Sequence, residues 1–223
     1  ERKYINVQHE DSNGDVTEQH YSQIVNPDTR IVTILHASPV TGISVDLEAI
    51  ATTVRSIAPK AFIIVDGVQY AAHGGIKIDQ YNIDGYAMSP YKMYSRHGFG
   101  FAWVSDRLTQ MNHEQLLDGP NENWELGTRD TGSYATISDV VEYLEWLGGK
   151  IENTDSRHLK LHNASKAIAA QETALTNLMI NGQDNINGLK DLEGIEIIGG
   201  EKNPNRKAVS YTHLTLPTSV MVL

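Results

Sequence analysis

Cysteine is absent from all 223 residues. Disulfides, thiolate metal sites and a cysteine nucleophile are therefore excluded within this chain. Basic residues are also scarce, 18 Lys and Arg against 28 Asp and Glu for a net charge of -10, and no basic cluster interleaves with aromatics. A nucleic-acid groove or an anionic membrane surface is accordingly not an expected partner. No apolar run approaches the roughly 18 residues of a membrane-spanning helix, so the expectation is a cytoplasmic protein without one. Internal repeats and low-complexity tracts are missing as well. What remains is the composition of an ordinary globular protein, with room for one large domain or one domain and part of another.

Both ends read as cut. The first residues, "ERKYINVQ", read as a strand entered partway, and "SYTHLTLPT", Ser210 to Thr218, reads as sequence foreign to the protein. Residues 209–223 are therefore expected to be a non-native tail.

Between them the periodicity is informative. "RIVTIL", Arg30 to Leu35, is a β-branched run preceded by the turn "NPDT". From Ser44 to Ile57 apolar residues recur at helical spacing, with Ser44 as candidate N-cap, and "AFIIVDG" then gives an apolar strand ending in an acid. Strand, helix and strand in this order make a βαβ unit, hence a mostly parallel sheet whose strand C-termini line a crevice. "IDGYAMS" and "GFGFAWVS" are two more short runs. Helices are expected from Tyr134 to Leu147, stopped by Gly148 and Gly149, and from Ser156 to Met179, with Leu159, Ala164, Ile168, Ala169, Leu175, Leu178 and Met179 along one face. "GIEIIGG", Gly194 to Gly200, opens a further strand.

Lys92 lies in "SPYKMYSRHGFG", between two of these runs. Alone it reads as a surface lysine. Asp66 and Ser89 both fall where a strand should end, however, so Lys92 returns to the sheet edge that carries Asp66. His36, Asp66, His73 and His97 also admit a metal site and a hydrolase, although their spacing matches no known ligand motif. His36 and His73 each read otherwise as hydrogen-bonded structural histidines.

"HASPVTG", "VDGVQYAAHGGIKID", "DGYAMSPYKMYSRHGFGFAW" and "NWELGTRDTGSYA" together resemble the class V aminotransferases, pyridoxal-phosphate enzymes of fold type I, and within them the cysteine desulfurase-like branch. The specific part is Asp66-x-x-Gln69 followed by Ser89-x-x-Lys92. The resemblance implies an α/β fold: a large cofactor-binding domain over residues 1–155, then a linking helix and the start of a small α+β domain over 156–208. It implies pyridoxal 5'-phosphate on Lys92 as a Schiff base, Asp66 on the pyridine nitrogen, Val68 against the ring and Gln69 near the phenolic oxygen. It further implies Ser89 and Tyr91 at the phosphate, with Gly127 and Thr128 reaching the cofactor phosphate of a partner in a homodimer. An amino acid is the implied substrate, with a transaminase, desulfurase or lyase outcome. Tyr91 departs from the histidine of many desulfurases, and Pro39 from an asparagine. These departures keep a second reading open: a non-catalytic homologue or interaction protein that retains the fold.

Overall fold

The structure, a computed structural model, describes residues 3–8, 14–119, 124, 127, 130–195 and 197. In chain order the elements are α1 (Glu18–Ser22), β1 (Ile31–Leu35), α2 (Leu47–Ile57), β2 (Phe62–Asp66), β3 (Gly85–Met88), β4 (Phe101–Val104), α3 (Asp106–Thr109), α4 (Thr131–Ile151), α5 (Arg157–Asn181), β5 (Gly182–Gln183) and β6 (Ile186–Asn187).

Strands β1 to β4 form one sheet in sequence order. β1, β2 and β3 run parallel, with Leu35 opposite Asp66 and Asp66 opposite Ala87, while β4 returns antiparallel to β3. The expected mostly parallel α/β sheet is thus present. Its two-residue alternation sends Val32, Ile34, Ile63 and Val65 to one face, where α2 supplies Leu47, Ile50, Ala51 and Val54. Each Val, Leu or Ile buried there contributes about 1.5–3 kcal/mol. On the opposite face Ile31 and Leu35 stay exposed.

Four local expectations are corrected. Residues 3–8 form no strand; they have no strand to pair with, and of them only Val7 packs on the core. Asp46, not Ser44, caps α2, its Oδ1 accepting from the Ala49 amide at 3.0 Å. Ser44 is committed to a bridge with Ala37, and the Val45 amide donates to the His36 carbonyl, so the chain is extended until Asp46. Gly148 and Gly149 do not stop α4, which continues to Ile151. Instead Gly148 lets α5 approach, since a methyl there would overlap the Lys160 carbonyl. α4 also begins at Thr131 rather than Tyr134, because Asp130 caps it, accepting from the amide and hydroxyl of Ser133.

α5 is capped by Ser156 as expected, but it does not bury the expected stripe. Leu159, Leu175, Leu178 and Met179 are exposed, and Asn163, Ala164 and Ile180 are the buried positions. Apolar residues are spread around α5, so its contacts rather than its periodicity decide which face is covered. The strand expected at 194–200 lies largely outside the described residues. No helix among the described residues is long and apolar enough to cross a membrane.

Candidate active site

Parallel strands leave their C-terminal ends at one edge of the sheet, and there the chain places Asp66, Gln69 and Lys92. β1 ends at Leu35, and the next amide, His36, donates to the Asp66 carbonyl at 2.9 Å. β2 ends at Asp66 itself and β3 at Met88, one residue before Ser89. Pro90 opens a single 3-10 turn, Pro90 to Lys92, in which the Lys92 amide donates to the Ser89 carbonyl. Proline suits this first position because its missing N–H and fixed φ sacrifice nothing there.

The turn brings Lys92 back to the sheet edge. Its ammonium donates to Gln69 Oε1, and Gln69 is buried. Lys92 is half-buried and also lies 5.8 Å from the centre of the Tyr91 ring. Asp66 is exposed, and its Oδ1 accepts from the Val68 amide at 3.0 Å. That bond is the usual strand-end aspartate turn, and it fixes the carboxylate's origin while leaving the other oxygen toward solvent free to meet a ligand.

Beneath this edge sits a cluster that the sequence reading did not assemble. Gly67 is pressed against Tyr86, so closely that any side chain at 67 would overlap the Tyr86 ring. The Tyr86 hydroxyl and His36 Nδ1 are hydrogen-bonded at 2.8 Å. His36 in turn stacks on Tyr70, ring centres 3.5 Å apart at 14°, and meets the Tyr81 ring edge-on at 5.7 Å. Burial pushes the phenols of Tyr70 and Tyr86 above their ordinary value and Tyr81 up to about 12. These tyrosines are therefore neutral packing and hydrogen-bonding groups near neutral pH, and they set the base on which Asp66, Gly67 and Gln69 rest.

The remaining candidates divide clearly. Val68 and Ser89 are half-buried at the same edge. Tyr91 stacks on His97, 3.9 Å apart at 17°. His73 donates to Glu172 of α5, so it belongs to a contact between the turn and that helix. His36, His73 and His97 thus have separate ring or carboxylate partners, and the described residues contain no group of three or more side chains able to hold a metal. Pro39 is exposed, in a loop where Ser38 Oγ accepts from the Val40 and Thr41 amides. Gly127 has φ +85°, a backbone conformation that favours glycine, with open space around it. Thr128 lies outside the described residues. Glu172 and the aromatic cluster escaped the sequence reading because their partners are far apart in the chain, 99 residues in the case of His73 and Glu172.

A family model described as aminotransferase class-V matches residues 3–212. A probable cysteine desulfurase of Mycoplasma pneumoniae is 36% identical over 102 residues, covering 46% of this chain and 25% of the relative. Cysteine desulfurase CsdA of Escherichia coli is 30% identical over 138 residues, 56% of this chain and 34% of that protein. Its solved structure superposes with a TM-score of 0.59 at 22% identity, covering 80% of this chain and 45% of that one. The structure of SspA in complex with cysteine gives a TM-score of 0.51 at 23% identity, covering 57% of this chain and 37% of the other. The chain spans half or less of the length of these curated relatives. With a parallel sheet that ends in Asp66, a turn that returns Lys92 to it, and a family match over nearly the whole length, the chain belongs to the class V aminotransferase family of pyridoxal-phosphate-dependent enzymes.

Proposed function

We propose that this chain carries the cofactor-holding part of a pyridoxal-phosphate enzyme acting on an amino acid, with Lys92 as the Schiff-base lysine. The observation that carries the reading is the Lys92 ammonium on Gln69, one strand from Asp66, at the C-terminal edge of the sheet. The donor set fits the group. Lys92 offers an amine for its aldehyde, Asp66 an open carboxylate for its pyridine nitrogen, and Gln69 an amide N–H for its phenolic oxygen. Ser89 and Tyr91 offer hydroxyl donors for its phosphate. Val68 offers an apolar side chain for a ring face.

When bound, the cofactor supplies an electron sink for the bond broken at the substrate Cα. The chain's own residues have simpler tasks. Asp66 holds a proton on the pyridine nitrogen, and the Val68 amide keeps the carboxylate aimed. Lys92 would be the amine that holds the cofactor's aldehyde and that accepts or returns the Cα proton. Gln69 orients that amine, and Gly67 permits the tight approach of Tyr86 that sets the level of the turn. SspA was solved with cysteine, which supports a small amino acid as the substrate class here. Gly127 and Thr128 complete the phosphate site of a second copy, which makes the working unit a homodimer.

Reduction with borohydride in the presence of pyridoxal phosphate, followed by peptide mapping, tests the reading. The expected result is a single pyridoxyl group on Lys92. Labelling elsewhere, or none, returns the chain to the non-catalytic reading that Tyr91 and Pro39 favour.

A further inference from the structure

His73 closes the turn that carries Gln69. Its amide and that of Gly74 both donate to the Tyr70 carbonyl, at 2.9 and 3.1 Å, and Gly74 lies flat against the Tyr70 ring, where a side chain would collide. The turn from Gly67 to Gly75 is therefore one compact piece. Its outer end is held by a helix from much later in the chain: His73 Nδ1 donates to Glu172 Oε1 at 2.7 Å, with side chains only 18% and 21% exposed. Gly75 meets Ser165, one helical segment earlier on the same α5.

Glu172 also bears on the other half of the site. Its charge, after burial, is the next cause that holds the Tyr94 phenol above its ordinary value. Tyr94 comes two residues after Lys92 and has φ +67°, a left-handed conformation that is uncommon for a bulky residue and persists only where neighbours enforce it. One neighbour is Tyr143 of α4, its ring 5.7 Å away. One carboxylate on α5 thus grips the turn that carries Gln69 and lies within electrostatic range of the segment that follows Lys92.

Packing alone does not account for a carboxylate at this place. Glu172 Oε2 is buried and makes no hydrogen bond. A leucine would cover the turn without leaving an acceptor unpaired, so stability by itself favours the apolar residue. The structure pays here for a directional grip.

We propose that Glu172 is a positioning residue for the Lys92 site, gripping His73 so that the Gly67–Gly75 turn keeps Gln69 against the Lys92 amine. The proposal rests on the cofactor reading above, and it adds a residue on the linking helix to a site otherwise built from the sheet edge. It also couples the two: any displacement of α5 is felt at Gln69 through His73.

The test uses this chain with Glu172→Leu, which keeps the cover and removes the grip, and Glu172→Gln, whose carbonyl oxygen still accepts from His73. Three quantities are measured: amide hydrogen exchange of peptides spanning 67–75, 89–96, α4 and α5, the pyridoxal phosphate concentration that half-labels Lys92 under borohydride, and the thermal midpoint. In Glu172→Leu, exchange in the 67–75 and 89–96 peptides should quicken about tenfold or more and the half-labelling concentration rise about tenfold, the size of one lost charged hydrogen bond. The thermal midpoint should not fall, and Glu172→Gln should restore both local readouts to near the parent level. His73→Leu opens the grip from the other side and must give the same local signature, which keeps the test decisive if Glu172→Leu does not fold. Parent-like exchange and labelling in the leucine variants overturn the proposal, as does exchange that quickens evenly over α4 and α5. If the parent chain itself is not labelled at Lys92, the cofactor reading fails, while the exchange at 67–75 and 89–96 still decides whether Glu172 holds the two segments together.

Discussion

Two aspartates stand at opposite ends of the same sheet and are treated in opposite ways. Asp84, just ahead of β3, is 3% exposed and saturated. It accepts from Arg55 at 2.6 Å, from Arg107 at 2.7 and 3.0 Å, from the Ile63 amide at 2.8 Å and from the Ser105 hydroxyl at 3.3 Å. Arg55 and Arg107 also donate to the Ala61 carbonyl, so β2, β3, β4, α2 and α3 are pinned at one point. Asp66, at the other end, is exposed and accepts one short-range amide. The saturated carboxylate has no capacity left for a ligand and the open one has. Position in the fold, not residue type, separates the structural aspartate from the one proposed to meet a cofactor.

The largest expected effect sharpens the reactive end. Lys92→Ala removes the amine of the Pro90–Lys92 turn that meets Gln69, so covalent pyridoxal phosphate labelling at this edge should vanish entirely. The urea midpoint should stay at the parent value, because the half-buried ammonium has a single side-chain partner among the described hydrogen bonds. A residual label on another lysine would move the site.

Breaking the structural end comes next. Asp84→Ala leaves two guanidinium groups without their carboxylate, a loss of about 3–5 kcal/mol for a buried pair. About 3 kcal/mol is the better expectation, since the Arg107 side chain is 41% exposed and water compensates it in part. The pH dependence has a definite sign. Burial alone would raise the Asp84 carboxyl, but hydrogen bonds from Arg107, the Ile63 amide and Arg55 outweigh it and hold the group below its ordinary value. Its folded value is thus below its unfolded one, so its contribution is full above the unfolded value of about 3.9 and is lost as pH falls through the folded value. In the Asp84→Ala variant the acid limb of the stability profile should be flatter than in the parent. An equally steep limb would assign acid sensitivity to other carboxylates.

The matching change at the open end reverses the pattern. Asp66→Asn should alter stability by no more than about 0.5 kcal/mol, as for an exposed position, because asparagine can still accept from the Val68 amide. Cα hydrogen exchange of a bound amino acid should nevertheless slow by more than about tenfold, since an amide cannot keep the pyridine nitrogen protonated. If Asp66→Asn destabilises the chain as much as Asp84→Ala does, the contrast between the two ends is false.

How much of this was legible beforehand follows from where each signal resides. β1, α2 and β2 were readable because a β-branched run, a helical repeat and an apolar run ending in an acid each lie within about fourteen residues. Lys92 and Asp66 were placed at one edge by counting strand ends, and Gln69 came with the resemblance. The direction of β4 was not readable, since four residues with the pattern Phe-Ala-Trp-Val suit either orientation. Gly148 and Gly149 looked like a stop because glycine disfavours a helix by about 1 kcal/mol, and contact with Lys160 overrules that preference. Asp84 carried no mark in the sequence at all. Its partners Arg55 and Arg107 lie 29 and 23 residues away on different elements. Glu172 is the extreme case, a helix residue whose hydrogen-bond partner His73 sits in a turn 99 residues earlier.

The smallest expected effect concerns a residue outside the described part of the chain, next to Gly127. Thr128→Val keeps the side-chain volume and, on the proposed function, removes one hydroxyl donor to the cofactor phosphate. A hydrogen bond to a charged group contributes about 1.5–3 kcal/mol, so cofactor affinity should fall by roughly ten- to a hundred-fold while chemistry at Cα and the dimer persist. Mixing a Lys92→Ala chain with a Thr128→Val chain then asks which copy the threonine serves. If it reaches the neighbour, one site of the mixed dimer carries both defects and the other carries neither, so half the sites bind cofactor at parental strength. If it serves its own chain, one site lacks the lysine, the other lacks the hydroxyl, and no site binds as the parent does. The second outcome confines the reactive edge to a single copy, and the open carboxylate of Asp66 would then work without help from across an interface.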